Sequence, residues 1–139
     1  MISNELLKQR INQTGRRLTN QRMAILAYLQ SVTCHPTAEK IYLQVKGEIP
    51  AISLGTVYRN LNYLVKEGYI IQFQNSDNIT CYDGNPKNHI HFICESCDEV
   101  SDIFNEPIIN DKALKKIGQA TTIECKIFGR CSKCLNKNK

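Results

Sequence analysis

Two pairs of cysteines and one pair of histidines are the residues of this 139-residue chain whose types and spacing indicate metal binding. Cys94 and Cys97 form one C-x2-C pair, and Cys131 and Cys134 form another. A tight turn at this spacing directs two thiolates at one ion, and two such pairs supply the four soft ligands of a tetrahedral structural Zn2+ site. A redox-active dithiol is the alternative interpretation. We expect structural zinc.

The histidines indicate a second site with harder ligands. His89 and His91 are two residues apart, so in a β-strand both side chains point to the same side. His35 is the remaining histidine, and Asp83 and Asp102 flank the pair in the sequence. Imidazole and carboxylate together suit Fe2+, Mn2+ or Zn2+, and a mixed set favours iron or manganese. From spacing alone, an interdomain hydrogen bond by His35 and ordinary solvated positions for the aspartates are equally open.

Composition limits the class of protein. Hydrophobic residues make up 42% of the chain, and no apolar run approaches the roughly 20 residues of a membrane span. The first residues lack the charged-then-apolar order of a signal peptide. We therefore expect a cytoplasmic protein, in which thiols stay reduced and paired cysteines bind metal. Cys34, Cys81 and Cys125 are then expected to be small core residues.

Residues 1–83 are predicted to form helices followed by a hairpin. Thr19, Thr37 and Ser53 are suitable N-caps, and Gly68 is a suitable helix end. The net charge of +5 is concentrated in this part of the chain, which favours a polyanionic partner. The predicted helices cover residues 4–13, 20–31, 38–47 and 53–66, and the predicted strands cover residues 69–73 and 79–82.

The helix beginning at Ser53 has the clearest pattern. One side carries apolar residues at helical spacing, and the other side is polar. The order of helices and hairpin is that of a winged helix-turn-helix. The apolar side comprises Leu54, Val57, Tyr58, Leu61, Leu64 and Val65, and the polar side comprises Thr56, Arg59, Asn60, Tyr63 and Lys66.

Residues 84–139 are predicted to form a second, smaller domain after a polar hinge. A core of this size usually needs a metal or a partner subunit for stability. The turn at Asp98-Glu99 would let the next strand pair with the histidine strand and bring Asp102 beside it. The predicted elements are strands over residues 89–94, 99–104 and 121–128, and a helix over residues 110–118.

Five motifs, highly specific in combination, resemble those of the ferric uptake regulator family of metal-dependent bacterial repressors. The resemblance covers nearly the whole chain and implies an α+β protein: an N-terminal winged helix-turn-helix (1–83) followed by a small α/β dimerisation domain with a four-cysteine zinc site (84–139). The motifs are Gly15-Arg16-Arg17-Leu18-Thr19-Asn20-Gln21-Arg22, His35-Pro36-Thr37-Ala38-Glu39-Lys40-Ile41-Tyr42, Ser53-Leu54-Gly55-Thr56-Val57-Tyr58-Arg59-Asn60-Leu61, His89-Ile90-His91-Phe92-Ile93-Cys94-Glu95-Ser96-Cys97 and Cys131-Ser132-Lys133-Cys134.

Within the family the chain most resembles the peroxide-sensing repressors. Their regulatory Fe2+ or Mn2+ site is matched here by His35, Asp83, His89, His91 and Asp102. Iron- and zinc-uptake members usually carry Glu at the last of these positions and further histidines around the final strand, which residues 121–128 lack. An iron-, zinc- or manganese-responsive uptake repressor is the alternative. An enzyme is not expected, because no general base or substrate pocket is recognisable.

The resemblance also implies a mechanism. A homodimer would bind a palindromic operator in double-stranded DNA and release it after iron and peroxide have oxidised His35 and His89. Arg16 or Arg17 would reach the minor groove or phosphates, although a solvated basic loop is the alternative. Tyr58 is as consistent with a core position as with DNA contact. The residues implied to lie at the major groove are Ser53, Thr56, Tyr58, Arg59 and Asn60.

Overall fold

The computed structural model describes residues 18–87, 89–104, 111–120 and 123–137. These residues form two compact units. The first comprises residues 18–74 and 78–86, and the second comprises residues 75–77 together with the described residues from 87 onward. The helix predicted over residues 4–13 lies outside the described residues, as do Arg16 and Arg17.

Three helices build the first unit, and each begins where the sequence predicts an N-cap. The side-chain oxygens of Thr19, Thr37 and Ser53 accept the backbone N–H three residues later, at 3.3, 3.4 and 3.1 Å. Such bonds satisfy N–H groups that the first turn leaves without a helical partner. The helices are α1 (Asn20–Ser31), α2 (Ala38–Glu48) and α3 (Leu54–Lys66).

The apolar sides of the three helices share one core. Ile25 of α1, Ile41 of α2 and Val57 and Leu61 of α3 have no exposed surface. Complete burial of one such side chain contributes about 1.5–3 kcal/mol relative to leaving it in water. Val57, Leu61 and Leu64 of the apolar stripe predicted on α3 therefore face inward and hold the helix against α1 and α2, whereas Tyr58 of that stripe is exposed.

A two-stranded hairpin completes the first unit. Strand β1 (Ile71–Gln74) pairs antiparallel with β2 (Thr80–Asp83). The segment before α2 is bound to β2, because the Tyr82 N–H donates to the Pro36 carbonyl at 3.0 Å, and Thr37 forms a bridge with Cys81. The end of β2 is thus fixed next to the chain at residue 35.

A three-stranded sheet in the order β4-β3-β5 forms the second unit. The central strand pairs antiparallel with β4 and parallel with β5. A short helix between Cys131 and the C-terminal residues was not predicted. The elements are β3 (Ile90–Cys94), β4 (Val100–Ile103), α4 (Asp111–Ile117), β5 (Lys126–Gly129) and α5 (Ser132–Asn136).

The last strand is shorter than predicted. Residues 121–128 have a strand-like composition, but Ile123, Glu124 and Cys125 are not in a strand, and β5 begins at Lys126. The reason is the length of the partner. Lys126 pairs with His91, which is the second residue of β3, so β3 offers almost no backbone for earlier residues to pair with.

Among the helices of the described ranges, none combines the length and apolar character needed to cross a membrane.

Gly84, at the end of β2, is predicted to tolerate no side chain. A Cβ atom there would lie 2.7 Å from both the carbonyl carbon and the carbonyl oxygen of Leu29 in α1. We expect Gly84→Ala to lower the free energy of unfolding by about 1–3 kcal/mol, the usual cost of overpacking, measured by urea unfolding. Gly47→Ala is the control, because Gly47 lies in α2 with open space around it. Equal stability of the two variants would contradict this prediction.

Candidate metal centres and DNA-binding face

The four cysteines of the two C-x2-C pairs come together at one end of the sheet in the second unit. Cys94 is the last residue of β3, and Cys97 lies in the turn that follows. Because β3 and β5 are parallel neighbours with Cys94 opposite Gly129, the two strands leave the sheet at the same end. Cys131 and Cys134 follow β5 directly and therefore meet the first pair.

The sulfur positions match a tetrahedral zinc site. All four Sγ atoms lie within 4.8 Å of one another. Cys94 and Cys134 are 3.7 Å apart, and Cys97 and Cys131 are 3.9 Å apart. Four thiolates at the usual Zn–S distance would be separated by about 3.8 Å. Convergence of all four sulfurs on one point favours zinc over two independent redox dithiols, which require only two sulfurs to meet.

The electrostatics of the cluster also favour a cation. The backbone N–H of Cys131 donates to Sγ of Cys94 at 3.4 Å, and this bond lowers the pKa of Cys94 to about 6. The hydrogen bond with the Cys131 side chain raises the pKa of Cys134 to about 12. The surroundings therefore favour the thiolate form of Cys94 and the thiol form of Cys134. A bound dication stabilises all four as thiolates.

His35 and Asp83 lie together in the first unit. Nε2 of His35 is 3.3 Å from Oδ2 of Asp83, and both side chains are buried. The bond between Tyr82 and Pro36 holds them in place by attaching the two chain segments to each other. The other carboxylate oxygen of Asp83 accepts the Asn85 N–H at 2.9 Å, which orients the carboxylate.

His89, His91 and Asp102 form a second group within the other unit. Asp102 faces His91 across the antiparallel β3–β4 pair, as the sequence predicted. Nε2 of each imidazole is 3.5 Å from the same buried oxygen, Oδ1 of Asp102. The two rings are 4.4 Å apart between centroids and nearly perpendicular.

The tautomer of His89 identifies what this group can bind. Its Nδ1 lies 2.6 Å from the carbonyl oxygen of Lys87. A carbonyl can only accept, so Nδ1 carries the proton, and in the neutral imidazole the lone pair is on Nε2. Nε2 of His89 faces a carboxylate oxygen of Asp102 at 3.5 Å, so a proton or a metal cation between the two atoms makes this contact favourable. An N–H held by a carbonyl is the usual support of a metal-binding histidine.

Helix α3 exposes part of the predicted DNA-binding set. The hydroxyls of Ser53 and Thr56 are hydrogen-bonded at 2.8 Å, and Nη2 of Arg59 donates to Oγ1 of Thr56 at 3.1 Å. Tyr58 is 39% exposed, so the alternative of a core position is wrong. Its hydroxyl donates to Glu39 at 2.7 Å, and this bond raises the pKa of Tyr58 and lowers that of Glu39.

Asn60 differs from the prediction. The sequence placed it on the polar, outward side of α3, but it is 7% exposed. Its Oδ1 accepts a hydrogen bond from Nε of Arg22 at 3.2 Å. The physical reason is that α1 packs along this side of α3, so that a position polar by helical spacing is covered. Arg22 was not singled out from the sequence, although it belongs to the first resemblance motif.

The zinc assignment predicts a selective loss of metal. Replacing Cys134 with Ser removes one of four ligands and inserts a hard oxygen in a soft site. We expect that variant to lose its stoichiometric zinc in native mass spectrometry and to unfold at lower temperature. Cys34→Ser is the matched control, because that thiol is exposed and distant in sequence from both pairs. Zinc retention by Cys134→Ser would contradict the assignment.

Comparison with known proteins identifies the family of this chain. A model of the ferric uptake regulator family matches residues 13–127. The peroxide-responsive repressor PerR of Staphylococcus aureus is 35% identical over 133 residues, which cover 91% of this chain and 88% of that protein.

Two solved structures of ferric uptake regulator family proteins are also similar to this chain. The Helicobacter pylori ferric uptake regulator Fur, described as having three functional metal-binding sites, aligns with a TM-score of 0.71 at 26% identity over 94% of this chain and 90% of its own. The Campylobacter jejuni peroxide stress regulator aligns with a TM-score of 0.68 at 28% identity over 96% of this chain and 100% of its own.

The resemblance and the α+β fold predicted from the sequence are confirmed. Because the family model spans most of the sequence, this chain belongs to the ferric uptake regulator family, whose members are transcriptional regulators rather than enzymes.

Proposed function

We propose that this protein is a cytoplasmic metal-dependent repressor that senses hydrogen peroxide by iron-catalysed oxidation of its own histidine ligands and then releases DNA. The observation that carries the proposal is the convergence of Nε2 of His89 and Nε2 of His91 on one carboxylate oxygen of Asp102, each at 3.5 Å. Two imidazoles that converge on one carboxylate oxygen suit Fe2+ or Mn2+. The four cysteines hold a separate structural Zn2+.

The regulatory ion in this proposal takes ligands from both domains. His35 and Asp83 belong to the DNA-binding domain, residues 1–83, and His89, His91 and Asp102 belong to the metal-binding dimerisation domain, residues 84–139. Support comes from each half separately, because each already holds its nitrogen and oxygen atoms within 3.5 Å of each other. An ion that needs both halves stabilises one relative orientation of the domains and shifts the population toward it.

Peroxide sensing depends on the choice of metal. Held by His35, Asp83, His89, His91 and Asp102, Fe2+ would supply the electrons for reduction of hydrogen peroxide, whereas Mn2+ would not. His35 and His89 are the ligands whose rings would take up oxygen. An oxidised imidazole is a weaker ligand, so the two halves lose their common ion. In the reduced protein, the carbonyl of Lys87 keeps the proton on Nδ1 of His89 and leaves Nε2 as the donor atom.

DNA binding is assigned to α3. The exposed residues Tyr58 and Arg59, the half-buried Thr56 and the exposed N-cap residue Ser53 would face the major groove, where a guanidinium suits the paired acceptors of guanine. Arg59 is oriented for such a contact by its bond to Thr56. Asn60 would act through Arg22 rather than by touching bases. Arg16 and Arg17 would contact the minor groove or phosphates.

A homodimer would place two such helices on the half-sites of a palindromic operator. Support comes from the second unit, where apolar side chains of the sheet and its flanking residues stay exposed. Ile103, Phe104, Ile127 and Phe128 are between 36% and 46% exposed, and Ile117 is 87% exposed. Apolar surface of this kind in a small domain suits burial by a second subunit.

Loading the protein with Fe2+ or Mn2+ tests the peroxide mechanism. DNA selected from a random pool by the Mn2+ form serves as the ligand. We expect both forms to bind it, and peroxide to release only the iron form, with the mass of one oxygen atom added to the peptides containing His35 and His89. Iron-loaded protein that releases DNA without such an adduct, or that ignores peroxide, would contradict the mechanism.

The alternative is an iron-, zinc- or manganese-responsive uptake repressor, and Asp102→Glu distinguishes the two. The longer side chain matches the uptake members at this position. If peroxide is the signal, we expect this variant to keep metal-dependent DNA binding while its histidines oxidise more slowly. If metal concentration is the signal, peroxide should affect neither the wild type nor the variant.

The bridging role of the ion predicts that His35→Ala uncouples DNA binding from metal. The variant keeps the ligands of the second domain but loses the imidazole of the first. We expect Mn2+ to increase the DNA affinity of the wild type by roughly 5–150-fold, the usual range of allosteric coupling, and that of His35→Ala by far less, measured by fluorescence anisotropy. Cys34→Ser is the neighbouring control. Unchanged metal dependence in His35→Ala would exclude a bridging ion.

A further inference from the structure

Arg22, in the first turn of α1, has surroundings that point to an anionic ligand. Its guanidinium carbon lies 3.6 Å from the centre of the Tyr63 ring, and its Nε donates to Oδ1 of Asn60 at 3.2 Å. Tyr63 and Asn60 are both on α3. Stacking fixes the plane of the guanidinium, and the bond to Asn60 fixes its rotation within that plane.

The charge of Arg22 is not neutralised within the described part of the chain. No carboxylate there lies at ion-pair distance from it, and its hydrogen-bonding partner is a neutral amide. Half-buried arginines usually pair with an acid, because removing a charge from water is costly unless a counter-charge replaces the water. With Nε already bonded, the two Nη nitrogens remain as a fork of donors, which matches two oxygens of a phosphate.

Asn60 supplies a second, independent observation. It is more than nine-tenths buried, and its Nδ2 atom has no hydrogen-bond partner among the described residues. A buried amide with unused donors destabilises a fold, and each native example calls for an explanation. The bond from Oδ1 to Arg22 explains why it is there: Asn60 is a positioning residue for the guanidinium.

The place where Arg22 packs against α3 identifies the source of the phosphate. Thr56, Asn60 and Tyr63 follow one another along one side of the helix, at spacings of four and three residues. Thr56, at the start of this row, is half-buried and accepts a hydrogen bond from the exposed side chain of Arg59. The Arg22 guanidinium therefore borders the surface that would enter the major groove, and the backbone phosphates line the sides of a helix in that groove.

We propose that Arg22 binds a backbone phosphate of the DNA through its Nη nitrogens, with Asn60 and Tyr63 holding the guanidinium in place. This inference rests on the proposed function, because it assumes that α3 is the DNA-reading helix. It assigns Arg22 to the contacts that position the protein on the duplex, rather than to those that read the sequence.

Salt dependence of binding tests the assignment. The Mn2+ form of the wild type and of Arg22→Gln is titrated with selected DNA and with an unrelated duplex over a range of KCl concentrations. Loss of one phosphate contact per subunit should reduce the slope of log affinity against log salt by about 1 per subunit, and binding of both duplexes should weaken by the same factor. Lys115→Gln, which removes a charge from α4 of the second unit, should keep the wild-type slope.

The Asn60→Leu variant tests whether Asn60 positions the Arg22 guanidinium for DNA or only holds α1 and α3 together. This variant removes the buried unsatisfied amide, so we expect its unfolding temperature to stay the same or to rise while its DNA affinity and salt slope fall. An Arg22→Gln variant that loses unfolding temperature but keeps the slope would show a brace between helices and overturn the inference. An Asn60→Leu variant with wild-type affinity and slope would overturn the positioning role.

The wild type separates failure of this inference from failure of the proposed function. If the wild type binds selected DNA in a metal-dependent way and Arg22→Gln leaves the slope unchanged, only the role of Arg22 is wrong. If the Mn2+ form of the wild type selects no DNA, both are wrong.

Discussion

The hydrogen-bonded pairing of strand β3 with its two neighbours is the constraint on which the second unit depends. The antiparallel register with β4 sets Asp102 opposite His91, and the parallel register with β5 brings Cys131 and Cys134 to the end of the strand where Cys94 lies. A shift of one residue in either pairing would turn the ligands to the opposite face of the sheet. One five-residue strand thus organises both ligand groups of this unit.

The two units are stabilised in different ways. The first has a continuous core built by three capped helices. In the described part of the second, the buried apolar side chains are Ile93, Cys94 and Cys134, and two of these belong to the cysteine cluster. Zinc binding in such a unit contributes directly to the free energy of folding, and an apolar surface left for a partner subunit serves the same purpose. In the proposed function, zinc and a partner subunit take the place of a larger core.

Hydrogen bonds and one ring contact hold the polar side chains around α3 in place. Tyr58 is held by Glu39, Arg59 by Thr56, and Arg22 by Asn60 and Tyr63. Side chains held in this way lose less rotamer freedom when a ligand binds, so more of the interaction free energy appears as affinity. These side chains are therefore held in place before any ligand arrives, as the proposed DNA contact requires.

The local sequence alone determined where the helices begin and how the candidate metal ligands are spaced. Helix starts at Thr19, Thr37 and Ser53, the two C-x2-C pairs and the histidine pair all follow from spacing over a few residues, because capping, helical periodicity and strand alternation are short-range effects. Only the tertiary structure decided the burial of Asn60, its bond to Arg22 and the late start of β5 at Lys126. These features depend on which element covers a given side and how far its partner extends, and both are set by packing between segments distant in the chain.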